Sequence, residues 1–186
     1  MTWLIVGGLL VLAFAPILWL MPTKRDRLLV RLRERARREG LVVEVASVPK
    51  RGAPAEERVG SDGVARDVTQ PCCAYRMPAS GTWRGAPRWF LLRDARGSVP
   101  MPGWTAHPEV PLPGVDAEYW RAVAGAVAGL EDQCLGMEAS ESMASWYWSE
   151  NPRGREVSEL VAEIAERLRA IAGLQAGFEV SRSPDE

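Results

Sequence analysis

The feature that most constrains this chain is an uncharged apolar run at its N-terminus. Residues 3–21, WLIVGGLLVLAFAPILWLM, contain no ionisable side chain. As a helix this run would be about 28 Å long, close to the ~30 Å hydrocarbon core of a bilayer. A buried helix of a globular domain usually has a polar face, and this run has none. We therefore predict a transmembrane helix at residues 1–21.

A cleaved signal peptide is the main alternative for this run. Such a peptide needs a basic region before its apolar stretch, and only Met1 and Thr2 precede this one. The segment Ala13-Phe14-Ala15 resembles a cleavage site, but Pro16 follows it directly and the apolar run continues beyond it. We therefore expect the membrane helix to be retained.

The segment behind the apolar run, residues 22–40, determines the expected orientation. It holds eight basic and three acidic side chains, whereas only the amino terminus is charged on the other side of the run. Cytoplasmic flanks of membrane helices carry the excess of Lys and Arg. We expect the N-terminus outside and the C-terminal part in the cytoplasm. Arginine outnumbers lysine 21 to 2, which is typical of GC-rich bacteria, so the predicted location is a bacterial inner membrane.

The same segment is predicted to form a juxtamembrane helix. Thr23 can cap its start, apolar residues recur at helical spacing from Leu28 to Ala36, and Gly40 can end it. One interpretation is an amphipathic helix lying on anionic lipid headgroups. Another is a solvated helix whose charges only enforce topology. The predicted membrane-surface residues are Lys24, Arg25, Arg27, Arg31, Arg33, Arg35, Arg37 and Arg38.

Composition excludes several classes of function. Outside residues 22–40 acidic side chains outnumber basic ones, which disfavours nucleic acid as a partner. The three cysteines, Cys72, Cys73 and Cys134, are an odd number and make a poor disulfide framework. With His107 as the one histidine, they form no recognisable zinc set. We expect no metal and no cofactor, and reduced thiols in a cytosolic domain.

Residues 41–175 are predicted to form one cytoplasmic α+β domain, followed by a disordered tail at 176–186. Valine-rich or alternating patterns predict strands at 41–48, 72–77, 87–93 and 141–150. Apolar spacing predicts helices at 116–134 and 157–171. Residues 50–70 read as a long loop, and the proline-rich stretch 100–114 as an irregular connection. These elements predict a mainly antiparallel sheet of about four strands, with two helices on one face.

One strand carries a prediction about the core. In the segment 141–150, Trp146 and Trp148 alternate onto one face. Such a face is usually core, and we expect it to pack against the stripe Leu160, Ile164 and Leu168 of the last helix. An aromatic binding surface is the alternative.

No catalytic motif is recognisable in the sequence, and no catalytic residue is assigned. The segment LVLAFAPILWLMPTKRDRLLVRLRERARREG resembles, in layout, the YajC-type accessory subunit of the bacterial preprotein translocase and single-pass proteins given that label. The glycine-rich strand motif of that family is replaced here by LVVEVASVPKRGAP. The resemblance implies one membrane helix, a basic cytoplasmic helix and a β-rich domain linked to protein translocation.

Two functions remain open at this point. The first is a membrane-anchored interaction or accessory module, whose partners would be the bilayer and a larger membrane protein complex. The second is a membrane-tethered enzyme with an unrecognised site near His107 or the 50–70 loop.

Overall fold

A computed structural model describes residue 3 and residues 23–59, 63–64, 68–129 and 134–181. The predicted membrane helix at 1–21 therefore lies, apart from Trp3, outside the described residues. Among the helices of the described part, none combines the length and apolarity needed to cross a bilayer.

The domain is α+β, as predicted, and it is built on an antiparallel sheet. The described strands are β1 (Val42–Pro49), β2 (Thr69–Pro78), β3 (Trp89–Arg93), β4 (Trp104–Ala106), β5 (Cys134–Ala139) and β6 (Met143–Trp148). They lie in the order β1-β2-β6-β5-β3-β4, and every neighbouring pair is antiparallel. The prediction of about four strands is therefore too low, because β4 and β5 were not foreseen.

Three long helices cover one face of this sheet. They are α1 (Lys24–Arg38), α3 (Ala117–Val127) and α4 (Val157–Ser181), and the short α2 (Ala55–Arg58) lies in the predicted loop. α4 contacts β2, β5 and β6 and packs against α1 and α3. Two covering helices were predicted, but α1 joins them, since Leu32 and Ala36 are fully buried in the same core.

The main core lies between the sheet and these helices. Trp146 and Trp148 are buried in it together with Leu160, Ile164 and Leu168, which confirms the predicted packing and removes the alternative of an aromatic binding surface. Burying side chains of this size removes roughly 1.5–3 kcal/mol each of unfavourable hydration. This layer therefore dominates the stability of the domain.

Three element boundaries correct the sequence predictions. The helix predicted at 116–134 begins as expected at the Asp116 cap, whose carboxylate accepts a hydrogen bond from Tyr119 N at 2.7 Å, but α3 ends at Val127. Gly129 has φ +72°, a left-handed conformation that suits the residue after a helix, and the chain then enters β5. The last helix continues to Ser181, so residues 176–181 are helical rather than a disordered tail.

Phe178 explains why the last helix extends past its predicted end. Its ring packs edge-on against Tyr119, with 5.9 Å between centroids. One turn earlier, the buried Gln175 donates from its side-chain amide to the Pro87 carbonyl at 3.0 Å. These contacts hold the C-terminal turns of α4 against the domain.

The second face of the sheet carries a smaller apolar cluster. It consists of Val48, Cys72, Ala74, Leu92 and Tyr147, with Phe90 packed against them. Arg51, which follows β1, donates to the carbonyl of Ala106 in β4 at 2.9 Å. A flat six-stranded sheet would keep its edge strands about 24 Å apart. The residues after β1 therefore fold toward β4 over this second face.

Candidate functional site

The basic helix α1 is joined to the domain by one ion pair. Arg33 donates from Nε to one carboxylate oxygen of Glu150 at 2.9 Å and from Nη2 to the other at 2.5 Å. Tyr75 donates its hydroxyl to the same carboxylate at 2.9 Å. The Glu150 side chain is only 5% exposed, so these donors replace water around a buried charge.

The pKa of Glu150 reflects this environment. Burial opposes its ionisation, but the hydrogen bonds and charge of Arg33, with further help from Cys73 and Tyr75, leave the pKa of this carboxyl below its ordinary value. The pKa values of Arg33 and Tyr75 are both raised, the first by its bond to Glu150 and the second mainly by burial. The cluster is therefore an ionised pair at neutral pH that fixes α1 on the domain.

The eight predicted membrane-surface residues separate into two groups in the structure. Arg33 binds Glu150, and Arg35 pairs with Glu39 at 2.7 Å, so both point partly toward the domain. The other six are exposed: Lys24, Arg25, Arg27, Arg31, Arg37 and Arg38. Within this exposed group, Lys24, Arg27, Arg31 and Arg38 lie within about 60° of one another around the helix axis, at 100° per residue.

The buried and the basic stripes of α1 face in opposite directions. Leu32 and Ala36 point into the core, and the stripe of Lys24, Arg27, Arg31 and Arg38, which we call the outer basic stripe, lies roughly opposite them. A capping box between Thr23 and Asp26 fixes the start of the helix, with Thr23 N donating to Asp26 at 2.8 Å. The stripe is thus held rigidly by the domain, directly after the apolar run.

A groove on the second face brings together two regions that the sequence treated as separate. It has a volume of about 850 Å³ and lies between the residues after β1, the β3–β4 loop and the segment 107–109. His107 and the 50–70 region both line it, as the enzyme alternative requires. The charged side chains along it include Lys50, Arg51, Arg58, Asp94, Arg96 and Glu109.

His107 is fixed in one orientation inside this groove. Its ring stacks on Phe90 with 4.7 Å between centroids, and Phe90 stacks in turn on Tyr147 at 4.9 Å. Nδ1 accepts a hydrogen bond from Glu109 N at 3.2 Å, so the proton of the neutral ring is on Nε2. Within the described part of the chain, no side chain is hydrogen-bonded to Nε2. The histidine therefore lacks the second group that a general base would act with.

The cysteines are placed as buried apolar side chains. Cys72 and Cys73 are adjacent in β2 and point to opposite faces of the sheet, and Cys134 lies in the main core. Burial raises the pKa of Cys72 and of Cys73 to about 11 and that of Cys134 to about 12. Thiols with such pKa values are protonated at neutral pH and react slowly.

Comparison with models of protein families, with curated protein sequences and with solved structures gives no match to this chain. Sequence reasoning did not foresee Glu150 as the partner of α1. A glutamate directly after a strand of aromatic residues carries no signal of its own, and its left-handed backbone, with φ +51°, is visible only in three dimensions.

Proposed function

We propose that this protein is a single-pass inner-membrane protein with a cytoplasmic domain, acting as an interaction or accessory module of a larger membrane complex. The observation that carries the proposal is the outer basic stripe. It lies opposite the buried side of α1, and α1 begins directly after an uncharged apolar run. Anionic headgroups attract each nearby Lys or Arg by roughly 1 kcal/mol, so the stripe favours contact between the domain and the bilayer surface.

The resemblance in layout to YajC-type subunits makes protein translocation the first pathway to examine. Partners would bind the parts of the domain that face away from the membrane. Affinity purification of the full chain from detergent-solubilised membranes, with identification of co-purifying proteins, tests this part of the proposal. Recovery of the chain without any membrane protein would refute the accessory role.

The membrane anchor is tested separately. The full chain should remain in the membrane pellet after an alkaline carbonate wash, with Met1 or Thr2 still its N-terminus. A fluorescent reporter fused after Glu186 should be active, and a phosphatase that requires periplasmic oxidation should be inactive there. A soluble chain beginning near Pro16, or phosphatase activity, would contradict the anchored cytoplasmic topology.

The outer basic stripe is tested with a variant that begins at Thr23. This variant should float with vesicles that contain anionic lipid and not with neutral vesicles. Changing Arg27, Arg31 and Arg38 to Gln should abolish flotation. A matched control changes three exposed arginines elsewhere, Arg96, Arg121 and Arg153, to Gln and should leave flotation intact. Equal losses in both variants would show that only total charge matters.

A membrane-tethered enzyme is the second candidate function. The groove favours it, because His107 and the residues after β1 line one cavity. It ranks second because His107 Nε2 has no side-chain partner among the described residues. A panel of small carboxylates and phosphates, screened by thermal shift against the wild type and His107→Ala, tests it. A stabilising compound that loses its effect in the variant would favour the enzyme.

A further inference from the structure

The two edges of the sheet are protected to very different degrees. β4 has three residues, and its Ala106 carbonyl already accepts a hydrogen bond from Arg51. β1, at the opposite edge, has eight residues. Long, uncovered edge strands attract further strands, and proteins usually protect them with bulges, lysines or prolines. β1 has no lysine and pairs with β2 without a bulge, so Pro49 at its end is its one such device.

The ladder between β1 and β2 shows which backbone groups face outward. Lys50 N donates to the Val68 carbonyl at 2.7 Å, so this position faces β2. Hydrogen-bonding direction alternates along a strand, and the even-numbered residues of β1 therefore face β2. The outward positions are Val43, Val45, Ser47 and Pro49. A proline fits an outward position because it has no N–H there to leave unpaired.

The outward side of β1 is open to solvent at its centre. Val45 is 80% exposed and Val42 is 48% exposed, although both are apolar β-branched residues. Among the described residues, no group is hydrogen-bonded to the outward backbone atoms of Val43, Val45 or Ser47. The edge thus presents three consecutive outward N–H and C=O pairs without a partner.

We propose that β1 pairs edge to edge with β1 of a second copy of this chain, in an antiparallel register centred on Val45. In this register Val45 lies opposite Val45 of the second copy, and Val43 lies opposite Ser47. Each of these pairs joins two outward residues, so each exchanges both of its N–H···O bonds. All the outward donors and acceptors from Val43 to Ser47 are then satisfied.

Neighbouring registers are less favourable. A shift that centres the pairing on Glu44 places two carboxylates directly opposite each other, which destabilises a strand pair. A shift that centres it on Ala46 places Val43 opposite Pro49, which lacks a donor. In the register centred on Val45, Glu44 lies opposite Ala46 and neither problem arises. The sequence of β1 is therefore complementary to itself in one register, which identifies a second copy as the occupant.

The symmetry of this pairing fits two chains in one membrane, an argument that rests on the proposed anchoring. The two-fold axis of an antiparallel pair at its hydrogen-bonded residues runs perpendicular to the sheet. Both copies therefore carry their helices on the same side of the joined sheet. The outer basic stripes of both α1 helices then face in the same direction, as contact with a single bilayer surface requires.

Cross-linking of the full chain in detergent tests the register directly. The Cα atoms of the Val45 pair would lie about 5.5 Å apart, which a disulfide can span. Val45→Cys should give a covalent dimer as the main product of mild oxidation. The control is Val99→Cys, because Val99 is 62% exposed but lies far from β1 in the β3–β4 loop. Equal cross-linking of the two variants would overturn the proposal.

The mass of the protein–detergent complex supplies the second measurement. The wild type should be dimeric, and Val45→Pro, which removes one donor from each copy, should raise the dissociation constant about thirtyfold, or ~2 kcal/mol at 1.4 kcal/mol per factor of ten. Val45→Lys replaces an exposed side chain and serves as a second variant if the proline impairs folding. A monomeric wild type, or dimers unaffected by both changes, would overturn the proposal. Because detergent replaces the bilayer, these results are independent of anchoring, which the carbonate wash tests.

Discussion

Replacing Arg33 by Ala should destabilise the domain more than any other change on the basic helix. The change removes the two guanidinium bonds to Glu150 and leaves the Tyr75 hydroxyl as its remaining close donor. Breaking a buried ion pair from one side costs about 3–5 kcal/mol. The Arg33 side chain is 35% exposed, so water replaces part of what is lost. We therefore expect a loss of about 2–3 kcal/mol in the free energy of unfolding.

Urea unfolding of a variant that begins at Thr23, followed by tryptophan fluorescence, measures this loss. The matched control is Arg38→Ala, which removes a pair to Glu34 on the same helix whose partners are 67% and 57% exposed. Exposed pairs of this kind contribute roughly 0.2–0.5 kcal/mol. A double-mutant cycle of Arg33→Ala with Glu150→Gln should show coupling between the two sites. Equal effects of the Arg33 and Arg38 changes, or no coupling, would refute the reasoning.

The same pair predicts a pH dependence. The pKa of Glu150 is lower in the folded protein than its ordinary value of 4.5. Its contribution to stability is therefore complete above pH 4.5 and is lost as the pH falls through the folded-state pKa. Glu150→Gln should lower stability at neutral pH and flatten its decline below pH 4.5. A variant that declines as steeply as the wild type in acid would contradict this assignment.

Two further predictions concern packing. Ile164→Ala should cost about 2–5 kcal/mol, because Ile164 is 1% exposed in the core, whereas Glu166→Ala on the exposed side of the same helix should change little. Gly136→Ala should destabilise by about 1–3 kcal/mol, because its Cβ would lie 2.9 Å from the Leu91 carbonyl oxygen. Gly125→Ala, in a helix with nothing within 4 Å, should instead stabilise by up to about 1 kcal/mol. Thermal unfolding followed by circular dichroism measures all four, and matching shifts for the two glycine variants would contradict the packing described.

The elements that sequence patterns predicted are those with strong internal periodicity. The stripe of the last helix and the alternation of Trp146 and Trp148 report burial directly, since their spacing reflects which side meets the core. β5 was missed because its Cys134 continues the apolar spacing of the helix before it. The stop signal was Gly129, and the Gly125–Gly129 pair was instead interpreted as close packing. β4 was missed because prolines surround its three residues.

The candidate site was less accessible to sequence reasoning than the fold. The basic residues of α1 are evident from composition, but their division into inward and outward groups depends on where the domain packs. Arg33 and Glu150 are far apart in the chain, and no local pattern joins them. Sequence placed His107 and the residues after β1 as two alternatives, and only the folding of the chain over the second face joins them in one groove.

The packing of α1 into the core limits how far the domain can move from its anchor. Only Pro22 and Thr23 separate the apolar run from α1, a span of at most about 7 Å. A flexible tether would let a domain search a hemisphere tens of ångströms wide. This domain instead holds a fixed height and tilt over the bilayer, so a partner must present its binding surface at that depth and angle. A flexible insertion after Met21 would therefore lower the effective concentration of the domain at such a partner, although every contacting residue remained unchanged.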